Sequence, residues 1–269
     1  METRNDSNIN TDSIVKVIKP PDLLSICNAL FGFTAILFVL GSVSEKAIKN
    51  ALVLILVAAV VDGLDGVVAR NIGCSPLGKY LDSLADMVSF GVAPAIVVYV
   101  LLKNYLPDYA YVTLAFCGAY VISGMLRLAR FDATPFLERR TSPKEPRFEK
   151  ESKIKEDFVG FPITGGAIFL ASFMLVFIEL QLPFYSYSIL LIVLMGILCF
   201  LMTSRIRYRN IRDKRIAIAV GLVFFTLFFF YLFYLPLPFV YPAAIIVALT
   251  AVYICSPFAA HVFALSKAG

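Results

Sequence analysis

Four aspartates stand at the ends of two oily runs. Asp62 and Asp65 lie in VDGLDGVVAR, shortly after ALVLILVAA, and Asp82 and Asp86 lie in LDSLADMVSFGVAPAIVVYV, which then turns apolar. Spacings of i,i+3 and i,i+4 put each pair on one face of its helix. The connection between them is short, so the two helices are antiparallel neighbours whose acidic faces can meet. Ionised carboxylates crowded near a membrane interface repel one another and are costly to desolvate. Protonation, pairing with basic residues, or bound cations would relieve them. Arg70 answers one charge, whereas two divalent ions would answer all four. Hard, oxygen-only ligands suit Mg²⁺ or Mn²⁺ better than zinc. Two such ions about 3.5–4 Å apart are the usual clamp for phosphoryl-type transfer. Gly63 and Gly66 give that face a backbone which either a neighbouring helix or a phosphate can approach closely.

The elements that must position these residues are membrane helices. The chain has 269 residues, 59% of them hydrophobic, and only 16% are charged, against about a quarter in a soluble domain. Mean hydropathy is +0.83. Repeated apolar runs of about 17–25 residues are long enough to cross a hydrocarbon core. The pattern predicts an all-α polytopic membrane protein with eight transmembrane helices, near 23–41, 47–69, 83–103, 109–130, 160–180, 186–204, 216–235 and 239–259. Turn-forming prolines in LPDY, LQLPFYS and PLPFVYP mark short connections.

The other connections hold the positive charge. On this reading 21 of the 24 lysines and arginines fall on one side, and the positive-inside rule makes it cytoplasmic, with both termini. The net charge of +5 is thus a topology signal that also attracts anionic lipid headgroups. No aromatic interleaving or recognition module accompanies it, so nucleic acid is not an expected partner. METRNDSNINTDS lacks the pattern of a cleaved signal peptide. Residues 1–22 read as a cytoplasmic segment, where SIVKVIKPPD forms a surface amphipathic helix stopped by Pro20 and Pro21. Residues 260–269 read as a tail, and ERRTSPKEPRFEKESKIKED as a solvated connection. Five scattered cysteines without a CxxC pair imply neither a disulfide framework nor a zinc site. The lone histidine, His261, is assigned no role.

Asp62-x-x-Asp65-Gly66-x-x-Ala69-Arg70, followed by Gly78-x-x-x-Asp82-x-x-x-Asp86, resembles the signature of the integral-membrane CDP-alcohol phosphotransferases. Further stretches, namely LDSLADMVSFGVAPA, RLARFD, FVGFPITGGA and PDLLSICNALFG, are most similar to the serine-using branch, the membrane-embedded phosphatidylserine synthases. RLARFD departs from the usual form, which ends in asparagine. The resemblance implies a six-helix catalytic core within residues 23–204, two extra C-terminal helices within 216–259, and a homodimer. It implies attack by the hydroxyl of L-serine on the β-phosphorus of a CDP-linked lipid, with release of CMP.

It also implies roles. Asp62, Asp65 and Asp82 are metal ligands on both the physical reading and the resemblance. Asp86 resembles the family's last aspartate, which both touches metal and takes the proton from the attacking hydroxyl; the alternative is a fourth ligand only. Gly66, Ala69, Arg70 and Gly78 are similar to the nucleotide-facing part of the motif, and Asn28 offers a side-chain amide in the same CDP-lipid pocket. Arg127 and Arg130, i,i+3 at the cytoplasmic end of the fourth helix, are candidates for the serine carboxylate or the lipid phosphate, or serve as topology anchors. Two other functions compete. One is the same chemistry with glycerol 3-phosphate, myo-inositol or its phosphate as acceptor. The other is divalent-cation transport, which intramembrane carboxylates also mark.

Overall fold

A computed structural model describes residues 18–73, 75, 77–141, 158–208 and 240–268. Among them are seven helices: α1 (Pro20–Gly41), α2 (Glu45–Ile72), α3 (Gly78–Tyr105), α4 (Ala110–Thr141), α5 (Ile163–Glu179), α6 (Phe184–Thr203) and α7 (Val240–Ala268). Four stretches, Pro20–Gly41, Glu45–Ala69, Gly78–Tyr105 and Pro107–Ala133, are long and apolar enough to cross a membrane. The chain is a multi-pass membrane protein.

The expectation of eight transmembrane helices, a six-helix core plus two C-terminal ones, is corrected by this result. Ile163–Glu179, Tyr187–Thr203 and Tyr241–Pro257 are apolar but shorter. A 17-residue helix such as α5 rises only about 25 Å, less than the roughly 30 Å of a hydrocarbon core. For α5, hydropathy registers how oily the segment is and overstates how far it reaches. The expected helix at 216–235 lies outside the described residues, as do residues 1–17 and 142–157.

The buried face of α1 runs Asp22, Ser25, Asn28, Gly32, Ala35, Val39, a three-to-four residue spacing that draws one stripe along the helix. Its opposite side carries exposed Leu23, Leu30, Phe33, Leu37 and Leu40. The helix therefore turns its polar and small residues inward and its largest apolar ones toward lipid. Pro20 and Pro21 open this helix; most of the surface helix expected in SIVKVIKPPD lies outside the described residues. Proline is suited to a first helical turn, where its missing N–H would have no partner anyway.

α1 packs most extensively on α2 and also against the start of α3. The core is filled by Ile48, Leu52 and Ile55 of α2, Val97, Leu101 and Leu102 of α3, Leu170 and Leu175 of α5, and Leu191 and Leu198 of α6. α2 ends at Gly73, whose φ of 87° lies in the left-handed region glycine accepts, and its N–H donates to the Ala69 carbonyl at 2.9 Å. That turn sends the chain back into α3.

α3 is not uniform. It is α-helical over Gly78–Asp86 and Ala93–Tyr105, with a π-helical stretch, Met87–Val92, between them. The Ala93 N–H reaches back to the Val88 carbonyl, and Pro94 has no N–H to offer Phe90. The Phe90 carbonyl instead accepts the Tyr120 hydroxyl of α4 at 3.1 Å. A proline thus frees one carbonyl, and a buried tyrosine from the next helix takes it.

α4 continues to Thr141, beyond the expected end at 130. A two-stranded antiparallel pair was not expected either: β1 (Phe158–Val159) lies on β2 (Arg207–Tyr208), with Phe158 opposite Tyr208. Phe161, Tyr208 and Tyr253 of α7 form a triangle of rings with centroids 5.4, 5.5 and 6.0 Å apart, which ties the last helix to the strand pair. Away from this end, Lys49 of α2 pairs with Glu179 of α5.

Candidate active site

The antiparallel turn from α2 to α3 brings the two acidic faces together as the spacing predicts. Asp62, Asp82 and Asp86 each present a carboxylate oxygen within 4.8 Å of the others. Asp62 and Asp82 are half-buried and Asp86 is buried. Asp65 is buried one turn further along α2, where its Oδ2 accepts the Ser25 hydroxyl of α1 at 2.9 Å. The structure thus gathers three of the four expected metal-site aspartates and sets the fourth against α1.

This cluster suits a hard cation. Three carboxylates supply oxygen donors only, the set preferred by Mg²⁺ or Mn²⁺. Among the described residues the Asp82 Oδ1 is buried without a hydrogen-bond partner, a costly condition for a charged oxygen unless a cation or donor meets it. These residues form one candidate metal site.

The glycines beside it differ in what they face. A Cβ added at Gly63 or Gly66 would meet nothing within 4 Å, so among the described residues no neighbouring helix is packed against those two positions. Both positions have room for a side chain beside the carboxylates. At Gly78 a Cβ would lie 2.8 Å from the Asp22 Oδ1, so this glycine makes room for the first turn of α1. Asp22 itself accepts the Lys19 N–H at 2.8 Å. Ala69 is half-buried on α2, and Arg70 continues that helix with its side chain outside the described residues.

Asn28 is fully buried on α1, and its Nδ2 donates to the Asp86 Oδ1 at 3.1 Å. The Ser89 hydroxyl donates to the Asn28 backbone carbonyl at 2.7 Å. One turn on, α1 and α3 touch so closely that a Cβ at Gly32 would sit 2.5 Å from the Ser89 Cα. α1 is therefore locked to α3 immediately beside Asp86.

The two arginines part company. Arg127 is half-buried and close enough to Asp62, Asp82 and Asp86 to interact electrostatically with all three. Its guanidinium lies over the Phe131 ring, 5.7 Å from the centroid. Arg130 is exposed and donates to the carbonyls of Thr203 and Ser204 at 3.3 Å, where it caps the C-terminus of α6. Asp132, the departure from the usual motif, pairs with Lys79 at 3.4 Å and so joins the end of α4 to the start of α3.

Sequence reading missed Ser25 and the bond from Asn28 to Asp86. Their signal was present: Asp22, Ser25 and Asn28 recur at three-residue spacing inside an apolar helix, which places three polar groups on one side.

The family model described as CDP-alcohol phosphatidyltransferase matches residues 19–155, which contain all the carboxylates above. Archaetidylserine synthase of Methanothermobacter thermautotrophicus is 34% identical over 170 residues, 62% of this chain and 62% of that protein. The CDP-diacylglycerol–serine O-phosphatidyltransferase of Mycobacterium leprae is 40% identical over 149 residues, 55% of this chain and 44% of its own length. That of Methanocaldococcus jannaschii is 32% identical over 204 residues, 75% of this chain and 79% of its own.

Proposed function

The chain belongs to the CDP-alcohol phosphatidyltransferase family, and from that premise we propose that it transfers the lipid phosphoryl group of a CDP-linked lipid to the hydroxyl of L-serine. The observation that carries this reading is the convergence of Asp62, Asp82 and Asp86 beside an unobstructed glycine face. The serine acceptor is supported by the relatives, whose names specify it.

In this reaction the serine oxygen bonds to the β-phosphorus, the bridging bond to CMP breaks, and CMP departs. Asp62, Asp82 and Asp86, with Asp65 adjacent, would hold two divalent cations, Mg²⁺ or Mn²⁺. Bound there, the cations supply polarisation of the phosphate and stabilisation of the leaving oxygen. Asp86 takes the proton from the serine hydroxyl, a poor nucleophile at neutral pH without a positioned base. Asn28 holds that carboxylate in one orientation through its 3.1 Å bond. Arg127 offers its guanidinium to the serine carboxylate, for which a planar fork is well matched. Gly63 and Gly66 leave room for the diphosphate, and the acyl or isoprenoid chains run along the exposed apolar sides of the helices. Around the four spans, Lys19, Arg70, Lys79, Arg127 and Arg130 stand at the end that carries the carboxylates and Lys46, Lys49 and Lys103 at the other, which supports a cytoplasmic active site.

The test is CMP release from CDP-diacylglycerol by the purified protein, with serine and divalent metal each omitted in turn. Release that needs both is the expected result. Release with glycerol 3-phosphate or inositol in place of serine would overturn the acceptor. Metal flux into liposomes without CMP release would overturn the reaction.

A further inference from the structure

We infer that Asn28 is the residue through which the site recognises the ammonium group of its acceptor. This rests on the serine reading above and deepens it. The Asn28 amide has two ends with different fates. Its Nδ2 donates to Asp86, while its Oδ1 is buried without a hydrogen-bond partner among the described residues. The amide cannot exchange its ends, because that would bring its oxygen against a carboxylate oxygen, two acceptors face to face.

The residue is also held from behind. Its backbone carbonyl accepts the Ser89 hydroxyl at 2.7 Å, and the Gly32 contact one turn later leaves α1 no slack against α3. Oδ1 is therefore a fixed acceptor next to the base Asp86. A buried acceptor of this kind is satisfied when a ligand brings a donor.

Of the groups an acceptor alcohol can carry, an ammonium fits best. It has three N–H donors and a positive charge, which the nearby carboxylates favour, while Arg127 is left for the acceptor's carboxylate. A phosphorylated or polyhydroxyl acceptor offers no cationic donor for this position. Asn28 and Arg127 together thus fit the two charges of a zwitterion.

The experiment measures steady-state transfer of labelled L-serine to lipid by Asn28→Ala and Asn28→Asp in the intact protein, with 3-hydroxypropanoate, which is serine without its ammonium, as competitive inhibitor of that transfer. Asn28→Ala should raise the serine KM at least about tenfold, the usual loss for a hydrogen bond to a charged group. It should leave the CDP-lipid KM and the 3-hydroxypropanoate Ki within about twofold. Asn28→Asp keeps an oxygen toward the ammonium but loses the donor to Asp86. Its serine KM should stay near the wild-type value while kcat falls. An Asn28→Ala protein whose serine KM is unchanged, or whose CDP-lipid KM or 3-hydroxypropanoate Ki rises in step with it, overturns the inference. An Asn28→Asp serine KM as high as that of the alanine variant does the same. Failure of the wild-type protein to use serine at all would instead strike the functional reading itself.

Discussion

Replacing Gly32 by alanine tests whether the α1–α3 contact sets the catalytic geometry. The added Cβ would lie 2.4 Å from the Ser89 Oγ and 2.5 Å from its Cα. The hydroxyl can rotate away, but the Cα is backbone, so the helices must separate. Favourable carbon–carbon contact begins near 3.5 Å, which requires a shift of about 1 Å. That shift would stretch the Asn28–Asp86 bond from 3.1 Å beyond hydrogen-bonding range, and the Ser89–Asn28 bond with it. Overpacking of this kind costs about 1–3 kcal/mol, and each lost bond adds roughly 1 kcal/mol. A misplacement of about 1 Å at a reacting group lowers turnover about 100-fold. The assay is CMP release together with thermal unfolding of the detergent-solubilised protein. Gly41→Ala serves as control, since a Cβ there meets nothing within 4 Å. If Gly32→Ala kept wild-type turnover and stability, the claim that α1 positions Asp86 would be refuted.

Two further substitutions separate residues that look alike in sequence. Arg127→Lys should raise the serine KM about tenfold or more, because an ammonium cannot reproduce the guanidinium fork. Arg130→Lys should leave that KM within about twofold and lower the unfolding temperature slightly, as expected of an exposed helix cap; equal effects on serine KM would contradict the division of roles. Gly66→Val should leave the unfolding temperature near wild type, since open space faces it, yet raise the CDP-lipid KM about tenfold, as loss of roughly 1.4 kcal/mol of binding would. A normal CDP-lipid KM would show that the diphosphate does not lie on that face.

The acidic centre was legible because its signal is local. Two aspartate pairs at helical spacing, joined by a short turn, can meet in few other ways. The membrane class was legible for a related reason: composition alone exceeds what a soluble surface tolerates. Span counting failed because hydropathy does not measure the length of the rod that carries it, as α5 shows. The contribution of α1 was harder to see, since Asn28 and Asp86 are far apart in sequence and only packing joins them. Arg127 and Arg130 share a motif and a helix, yet one faces carboxylates and the other caps α6. That difference depends on where α6 ends, which no local pattern around residue 130 encodes.

The widened turns at Met87–Val92 make α3 two half-helices with independent rotational settings. Wound regularly throughout, at about 100° per residue, the same residues would carry Asp82 and Asp86 round by roughly a quarter-turn relative to Ala93–Tyr105, away from Asp62. The bearing of the carboxylates is thus decided at a proline two turns deeper in the bilayer, with Tyr120 holding the surplus carbonyl. One half of the rod packs into the apolar core while the other keeps its carboxylates aimed at Asp62.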